Sequence, residues 1–453
     1  MTTFSTTSAK MPLTVTDMQV DSAMQRRAIS YANTLFGLFD QVMVQKQPAD
    51  RILAEYFRAH KQHGSKDRKV IRETLFSVFR WWGWLKKFGD YQDSNTFFSA
   101  LSVAGALEQH SWQPLTQAWL QLSHHSIDLS VFYQDEQVLS AAQKCQLLTH
   151  VSSIPLDLID LVPDWFREAC PVAEKQQTKL IEALCTRPPI WARAQNIDVK
   201  QLIKNLATQE IHAIDSPHFI DALNLGTKSI NLPSVDSYKR GQIEIQDLAS
   251  QVIGQICQPK PHEQWWDACS GAGGKTLQLR SLMLQQDSFS SGSIIASDIR
   301  KKPLIELVKR AKRANFDNIT TMAWKDNTLP VKAAAFDGVL VDAPCSCTGT
   351  WRRNPDMRWI DDSRCIEDKP ALQLDILSRS AAAVKTGGKL VYATCSISPQ
   401  ENEAVVNAFA QQHPEFSQQR LTHPFTHEKV TMLTVWPQEA NSDGMFVAVF
   451  IKQ

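Results

Sequence analysis

Two cysteines stand where a nucleophile would be useful. Asp342-Ala343-Pro344-Cys345-Ser346 and Thr394-Cys395-Ser396 each close a run of apolar and β-branched residues that reads as a strand. A thiolate is both a good nucleophile and a good leaving group, which suits a reaction that adds to a substrate and later departs from it. A second cluster is Asp267-Ala268-Cys269-Ser270-Gly271-Ala272-Gly273-Gly274-Lys275-Thr276, with three glycines in four positions at a strand-to-helix turn. Glycine lets backbone N–H groups approach a ligand, and the following helix adds its positive end. The spacing is not a P-loop, because position 269 is Cys, and not a dinucleotide fingerprint, because position 276 is Thr. Asp298, Asp326 and Asp342 close successive predicted strands, and an acid after the second strand of an open parallel sheet suits the hydroxyls of a ribose.

The two thiols fit one chemistry well. Carbon 5 of a cytosine is a poor nucleophile until a thiolate adds to carbon 6 and makes the ring enamine-like. Carbon 5 then takes an electrophilic methyl group, and loss of its proton expels the thiolate. A Cys345-x-Cys347 metal site is not expected, since His and further Cys at ligand spacing are missing nearby. Cys145, Cys170, Cys185, Cys257 and Cys365 read as small apolar core residues.

Residues 241–453 alternate strand and helix, the pattern of a doubly wound α/β sheet. Strands are expected at Trp265–Ala268, Ser293–Ser297, Ile319–Met322, Phe336–Val341 and Lys389–Thr394, with a terminal edge hairpin of Thr431–Trp436 and Met445–Ile451. This is the layout of a Rossmann-like, class I S-adenosylmethionine-dependent methyltransferase domain. Residues 169–240 read as a small α/β subdomain, and 28–168, with apolar residues at i, i+3, i+4 and i+7 from Leu35 to Val42, as an all-helical domain. The Ser- and Thr-rich stretch 1–27 reads as a flexible tail.

Four segments occur in order: Ile245–Ser250, Gly273-Gly274-Lys275-Thr276, the Asp342 segment, and Ala393-Thr394-Cys395-Ser396 leading to Pro399-Gln400-Glu401-Asn402-Glu403. Together they resemble the RNA cytosine-carbon-5 methyltransferases, the Sun-like family in its bacterial RsmB-like branch, over roughly Arg187–Gln453. The resemblance implies S-adenosyl-L-methionine as cofactor, Cys395 as nucleophile and Cys345 as the thiol that assists product release. Asp342 would hold the cytosine edge, Asp298 the ribose and Asp326 the adenine amine. Cys269, Ser270, Gly271, Ala272, Gly273, Gly274 and Lys275 would wrap the methionine end. The chain departs from the family in having Gly271-Ala272 where Ala-Pro is frequent, and a thiol, Cys347, where a small non-thiol residue is usual. The small subdomain is similar to the family's RNA-contacting module, and the N-terminal helices, with Asp67-Arg68-Lys69, are similar to a NusB-like domain.

The expected partner is RNA, in particular ribosomal RNA or a ribosome precursor. Arg193, Arg352, Arg353 and Arg358 are the proposed phosphate contacts, with the run Arg300 to Arg313 as a basic face. A formal net charge of +1 over 453 residues means that positive charge must act locally. Nine cysteines in so long a chain form no disulfide framework. With no secretory signal or membrane-length apolar run, a cytoplasmic monomer is expected. Two rivals are a DNA cytosine methylase, whose nucleophile lies in a Pro-Cys pair such as Pro344-Cys345, and a non-catalytic RNA-binding assembly factor. The first leaves Cys395 unexplained, and the second conflicts with intact thiols and glycines.

Overall fold

A computed structural model describes residues 13, 20, 22–134, 138–325 and 328–453. The chain divides into two compact units, Met1–Phe166 with Val172–Thr186 and Trp351–Asp362, and Arg167–Pro171 with Arg187–Thr350 and Ser363–Gln453.

The first unit is helical: Ala23–Gln45, Ala49–Ala59, Ser65–Leu85, Ser94–Leu107, Gln113–Leu122, Ala141–Ser152 and Glu174–Cys185. Its first helix begins inside the stretch expected as a tail, because Ser22 and Gln25 form a reciprocal capping box at that point. Asp93 caps Ser94–Leu107 by accepting the Thr96 N–H at 2.8 Å. That helix is buried on every side from Thr96 onward, and its Ser, Ala and Gly residues let neighbours approach closely. Asp67 is a local anchor: its carboxylate accepts the Gly64 N–H and the Tyr31 hydroxyl at the start of Ser65–Leu85.

The segment Trp351–Asp362 also belongs to this unit, although it follows directly on Cys345–Thr350 in sequence. Arg358 is fully buried and donates to the Leu161 and Leu184 carbonyls at 2.9 and 3.1 Å. Asp356 accepts the Ala49 N–H at 2.8 Å, and the Trp359 indole donates to the Phe79 carbonyl at 2.7 Å.

In the second unit, β1 (Trp191–Ala194), β2 (Ile214–Asp215), β3 (Ala222–Asn224) and β4 (Ile243–Ile245) form a small antiparallel sheet of order β2-β3-β1-β4, with the helix Val199–Ala207. Strand β4 lies beyond the expected subdomain boundary at 240, and the helix Glu174–Cys185 belongs to the other unit.

The main sheet contains β5 (Gln264–Asp267), β6 (Ser293–Asp298), β7 (Ile319–Ala323), β8 (Phe336–Asp342), β9 (Val384–Thr394) and β10 (Phe416–Gln418). A ribbon of β11 (Leu421–Thr422) and β12 (Lys429–Val430) precedes β13 (Met432–Val435) and β14 (Met445–Lys452). The order is β10-β14-β9-β8-β5-β6-β7, and β13 pairs with β14. Strands β5 to β9 are parallel, whereas β14 runs antiparallel to β9. The terminal pair is therefore not at the edge: β14 lies inside the sheet and β10 flanks it.

Alternation along the strands feeds two cores. Trp266, Val339, Val341, Leu390 and Tyr392 pack on one face, and Trp265, Leu340, Val391 and Ala393 on the other. The order reverses between β5 and β8, so a crevice opens beyond the carboxyl ends of those strands, where an α/β sheet binds its ligand.

Candidate active site

Four strand ends, those of β5, β6, β8 and β9, carry the site at that crevice. From the end of β5, the chain turns through Gly271 and Gly273, whose φ angles of +53° and +86° are left-handed. The Ser270 N–H is tied to the Ser297 carbonyl at 2.8 Å, and Arg310 clamps the Ala272 carbonyl at 2.6 Å. A Cβ at Gly271 or Gly274 would meet only the tips of Arg300 and Arg310, at 3.9 and 4.0 Å, so this backbone is open to a ligand. Beneath it, Ser270 Oγ and Asp267 Oδ1 are buried without hydrogen-bond partners among the described residues. Such a cradle with polar atoms to satisfy fits the adenosine and methionine portions of S-adenosylmethionine.

Asp267 is fully buried, and its other oxygen accepts the Thr276 hydroxyl at 2.6 Å. Burial pushes its carboxyl up to about 7. An unfolded aspartate ionises near 4, so folding favours the protonated form; that stabilisation is full below pH 4 and lost as pH rises through 7. In cofactor-free protein, Asp267→Asn is therefore expected to gain stability over wild type by about 2–4 kcal/mol between pH 5 and pH 8. Urea unfolding at the two pH values checks this, and parallel curves would contradict it.

Asp298, at the end of β6, is buried, and its carboxylate accepts the Gly271 N–H at 3.0 Å. Burial alone would raise its pKa, but the bonds from the Arg300 backbone and guanidinium hold it below the usual range. Arg300 is 67% exposed, so a ribose diol can take the positions its guanidinium fills. Asp326 lies outside the described residues.

Asp342, at the end of β8, receives Lys275 Nζ at 2.7 Å. Burial raises the Asp342 carboxyl, opposed by the Lys275 ammonium; burial disfavours the Lys275 charge, but Asp342 outweighs it and keeps the lysine protonated. Lys275 also acts electrostatically on Cys395. It thus leaves the glycine turn and reaches the reactive end, whereas the sequence grouped it with the methionine-binding turn.

The register Asp342↔Ala393 brings the chain beyond β8 alongside the end of β9, and Cys345 Sγ lies 3.3 Å from Cys395 Sγ. Cys347, at φ +59°, turns its thiol to the Cys345 carbonyl at 3.5 Å. The Cys345 thiol is held well above its ordinary pKa by hydrogen bonding with Cys347 and Cys395 and by burial, so it stays protonated.

A buried polar latch joins the two cysteine loops. The Glu401 carboxylate accepts the Ser346 N–H at 2.8 Å, the Ser346 hydroxyl and the Gln373 amide at 3.0 Å. Thr348 Oγ1 lies 3.1 Å from Ser396 Oγ, and the Gly349 N–H donates to the Cys395 carbonyl at 2.9 Å. Asn402 accepts the Thr394 hydroxyl and donates to the Ser396 carbonyl. The sequence signalled this only as a polar run after Thr-Cys-Ser, with no role for its members.

Three of the four proposed phosphate contacts are corrected. Arg193 is fully buried, held by Gln246 at 3.1 Å and Gln195 at 2.8 Å, and burial lowers its pKa to about 10. Arg352 and Arg358 are 1% and 0% exposed in the helical unit. A guanidinium enclosed by protein acceptors cannot reach a phosphate without breaking the core. Arg353 is exposed. In the basic run, Arg300 pairs with Asp298, and Arg310 and Arg313 pair with Glu244. Lys301, Lys302, Lys309 and Lys312 face solvent.

The parallel sheet with its reversal, glycine turn and strand-end acids defines a class I methyltransferase fold. Solved structures agree: PH0851 superposes with a TM-score of 0.70 at 21% identity, covering 92% of this chain and 98% of its own. NSun6 from Pyrococcus horikoshii with SFG gives a TM-score of 0.55 at 18% identity, covering 64% and 98%. The sequence model of the 16S rRNA methyltransferases RsmB/F matches residues 254–451. The ribosomal RNA small subunit methyltransferase B of Yersinia pestis bv. Antiqua (strain Angola) is 30% identical over 326 residues, 70% of this chain and 72% of that protein. The chain belongs to the RsmB/F family of RNA cytosine-C5 methyltransferases, enzymes that use S-adenosylmethionine. Among the described residues no helix is long and apolar enough to cross a membrane.

Proposed function

We propose that this enzyme methylates carbon 5 of a cytosine in small-subunit ribosomal RNA through a covalent bond from Cys395 to the base. The observation that carries this reading is the pair of thiols 3.3 Å apart beside the Lys275–Asp342 ion pair. Cys395 adds to carbon 6, and the ring electrons move toward carbon 5. Asp342, raised by burial and held by Lys275, hydrogen-bonds the cytosine edge. S-adenosylmethionine, held by residues 269–274 and Asp298, supplies the methyl electrophile. Cys345 then assists release: the carbon 5 proton passes to water, its C–H electron pair re-forms the double bond between carbons 5 and 6, and the Cys395 sulfur leaves carbon 6 as a thiolate.

The base must be unstacked to be attacked at carbon 6, so the substrate presents it in a loop or flips it out. Exposed Arg353 contributes to holding the RNA backbone. The enzyme acts as a monomer in the cytoplasm on RNA or a ribosome precursor.

Incubating the protein with S-adenosylmethionine and small-subunit rRNA, free and assembled, and analysing digested nucleosides by mass spectrometry tests the reading. 5-Methylcytidine is expected in one of them. Methylation only on an exocyclic amino group, or only in DNA, would overturn it.

The glycine turn yields a separate prediction. A Cβ at Gly273 would meet Leu307 Cγ at 2.4 Å, on a backbone with φ +86°. Gly273→Ala is expected to weaken S-adenosylmethionine binding at least about 10-fold by calorimetry, since both strain and overpacking distort the cradle.

A further inference from the structure

The third thiol, Cys347, forms no bond to the base in the methyl transfer described above, yet it faces the two that act there. Cys345, Cys347 and Cys395 place their sulfurs all within 4.8 Å of one another. Two come from the loop after β8 and one from the end of β9, so the set is invisible as a spacing motif. We propose that these thiols form a tri-thiolate site for a thiophilic d10 cation of the Zn2+ class, and that its occupancy switches methyl transfer off.

Tetrahedral zinc with Zn–S bonds near 2.3 Å sets sulfur–sulfur separations of about 3.8 Å. The observed cluster brackets that value, with 3.3 Å for Cys345–Cys395 and 4.8 Å as the outer limit. Side-chain rotation closes the rest, because the supporting backbone is already fixed. Glu401 holds Ser346, Ser346 Oγ lies 3.2 Å from Ser396 Oγ, and Gly349 N–H holds the Cys395 carbonyl. Cys347 adopts a left-handed φ of +59°, unusual for a residue with a side chain, which turns its thiol toward the cluster.

Thiolate softness selects zinc over magnesium or calcium. Binding needs no oxidant: one divalent cation and three thiols give a tri-thiolate complex of net charge −1 and three protons released to solvent. A fourth position remains for water. With its sulfur lone pair given to metal, Cys395 cannot add to a base. This inhibition rests on the assignment of Cys395 as nucleophile, whereas the metal site itself does not.

The test uses the full chain with Zn2+ alone and Co2+ alone. One equivalent of Co2+ should give thiolate-to-cobalt charge-transfer absorption with tetrahedral d–d bands. Zn2+ should displace it, and a chelator should remove either metal. Cys347→Ala is expected to weaken zinc binding by about 100-fold or more, as loss of one of three ligands requires. Cys347→Gly, which the left-handed backbone favours, controls for misfolding and should match it. At a zinc concentration that stops the wild type, both variants should go on forming 5-methylcytidine. Equal zinc affinity in wild type and variants, or cobalt bands without thiolate character, would overturn the site. Normal cobalt spectra with no methylation by metal-free enzyme would keep the site and sink the methyl-transfer reading instead.

Discussion

Replacing Cys395 by alanine is expected to lower methyl transfer by on the order of 10^4-fold while leaving S-adenosylmethionine affinity unchanged. Without a thiol to add at carbon 6, carbon 5 is not activated. Cys345→Ala is expected to behave differently. Addition proceeds, but release slows, so enzyme accumulates joined to its RNA. The two thiols are 3.3 Å apart, so geometry alone would let either attack. Their surroundings differ: neighbouring thiols and burial keep Cys345 protonated, and the Lys275 ammonium acts on Cys395. Denaturing gels with 5-fluorocytosine-substituted rRNA check the assignment, because fluorine at carbon 5 blocks the final elimination. An adduct in wild type and Cys345→Ala, absent in Cys395→Ala, is the expected result. The reverse pattern would exchange the roles and bring back the Pro-Cys arrangement of DNA cytosine methylases.

The second large effect concerns Glu401, which touches neither substrate nor cofactor in this reading and acts through Ser346. It is fully buried, and its carboxylate takes bonds from two groups of Ser346 and from Gln373. Burial raises its pKa, while those donors work to lower it. Glu401→Ala leaves three donors facing a cavity, at a cost of about 3–5 kcal/mol. Glu401→Gln keeps the volume and one carbonyl for the Ser346 N–H and Gln373. Its amide can donate to the Ser346 hydroxyl, so a cost of about 1 kcal/mol is expected. Because the latch positions the Cys345 loop, Glu401→Gln should lower kcat several-fold with S-adenosylmethionine binding intact. Thermal unfolding with single-turnover kinetics separates the two consequences. Unchanged kcat in a measurably destabilised Glu401→Gln would reduce Glu401 to a packing role.

Local chemistry explains what was readable before any fold was seen. Alternating β-branched and aromatic residues, punctuated by glycine, set out strands β5 to β9, and Asp298, Asp342 and the thiols fell at or just beyond their ends. A parallel sheet buried on both faces leaves its ligand only those ends. The same local view misread Arg193, Arg352 and Arg358, because an arginine's sequence neighbours do not report its burial. Arg358 is held by carbonyls of Leu161 and Leu184, far away in the chain, and by membership of Trp351–Asp362 in the helical unit. Strand β10 was missed because three residues carry no period, and its pairing with β14 alone makes it a strand. Glu401 meets Ser346 across 55 positions, and Cys347 meets Cys395 only because β8 and β9 are neighbours. Residue types and their order therefore determine which reactive groups the chain owns. Strand pairing decides which of them touch, since hydrogen bonds and thiol contacts act over a few ångströms regardless of distance along the chain.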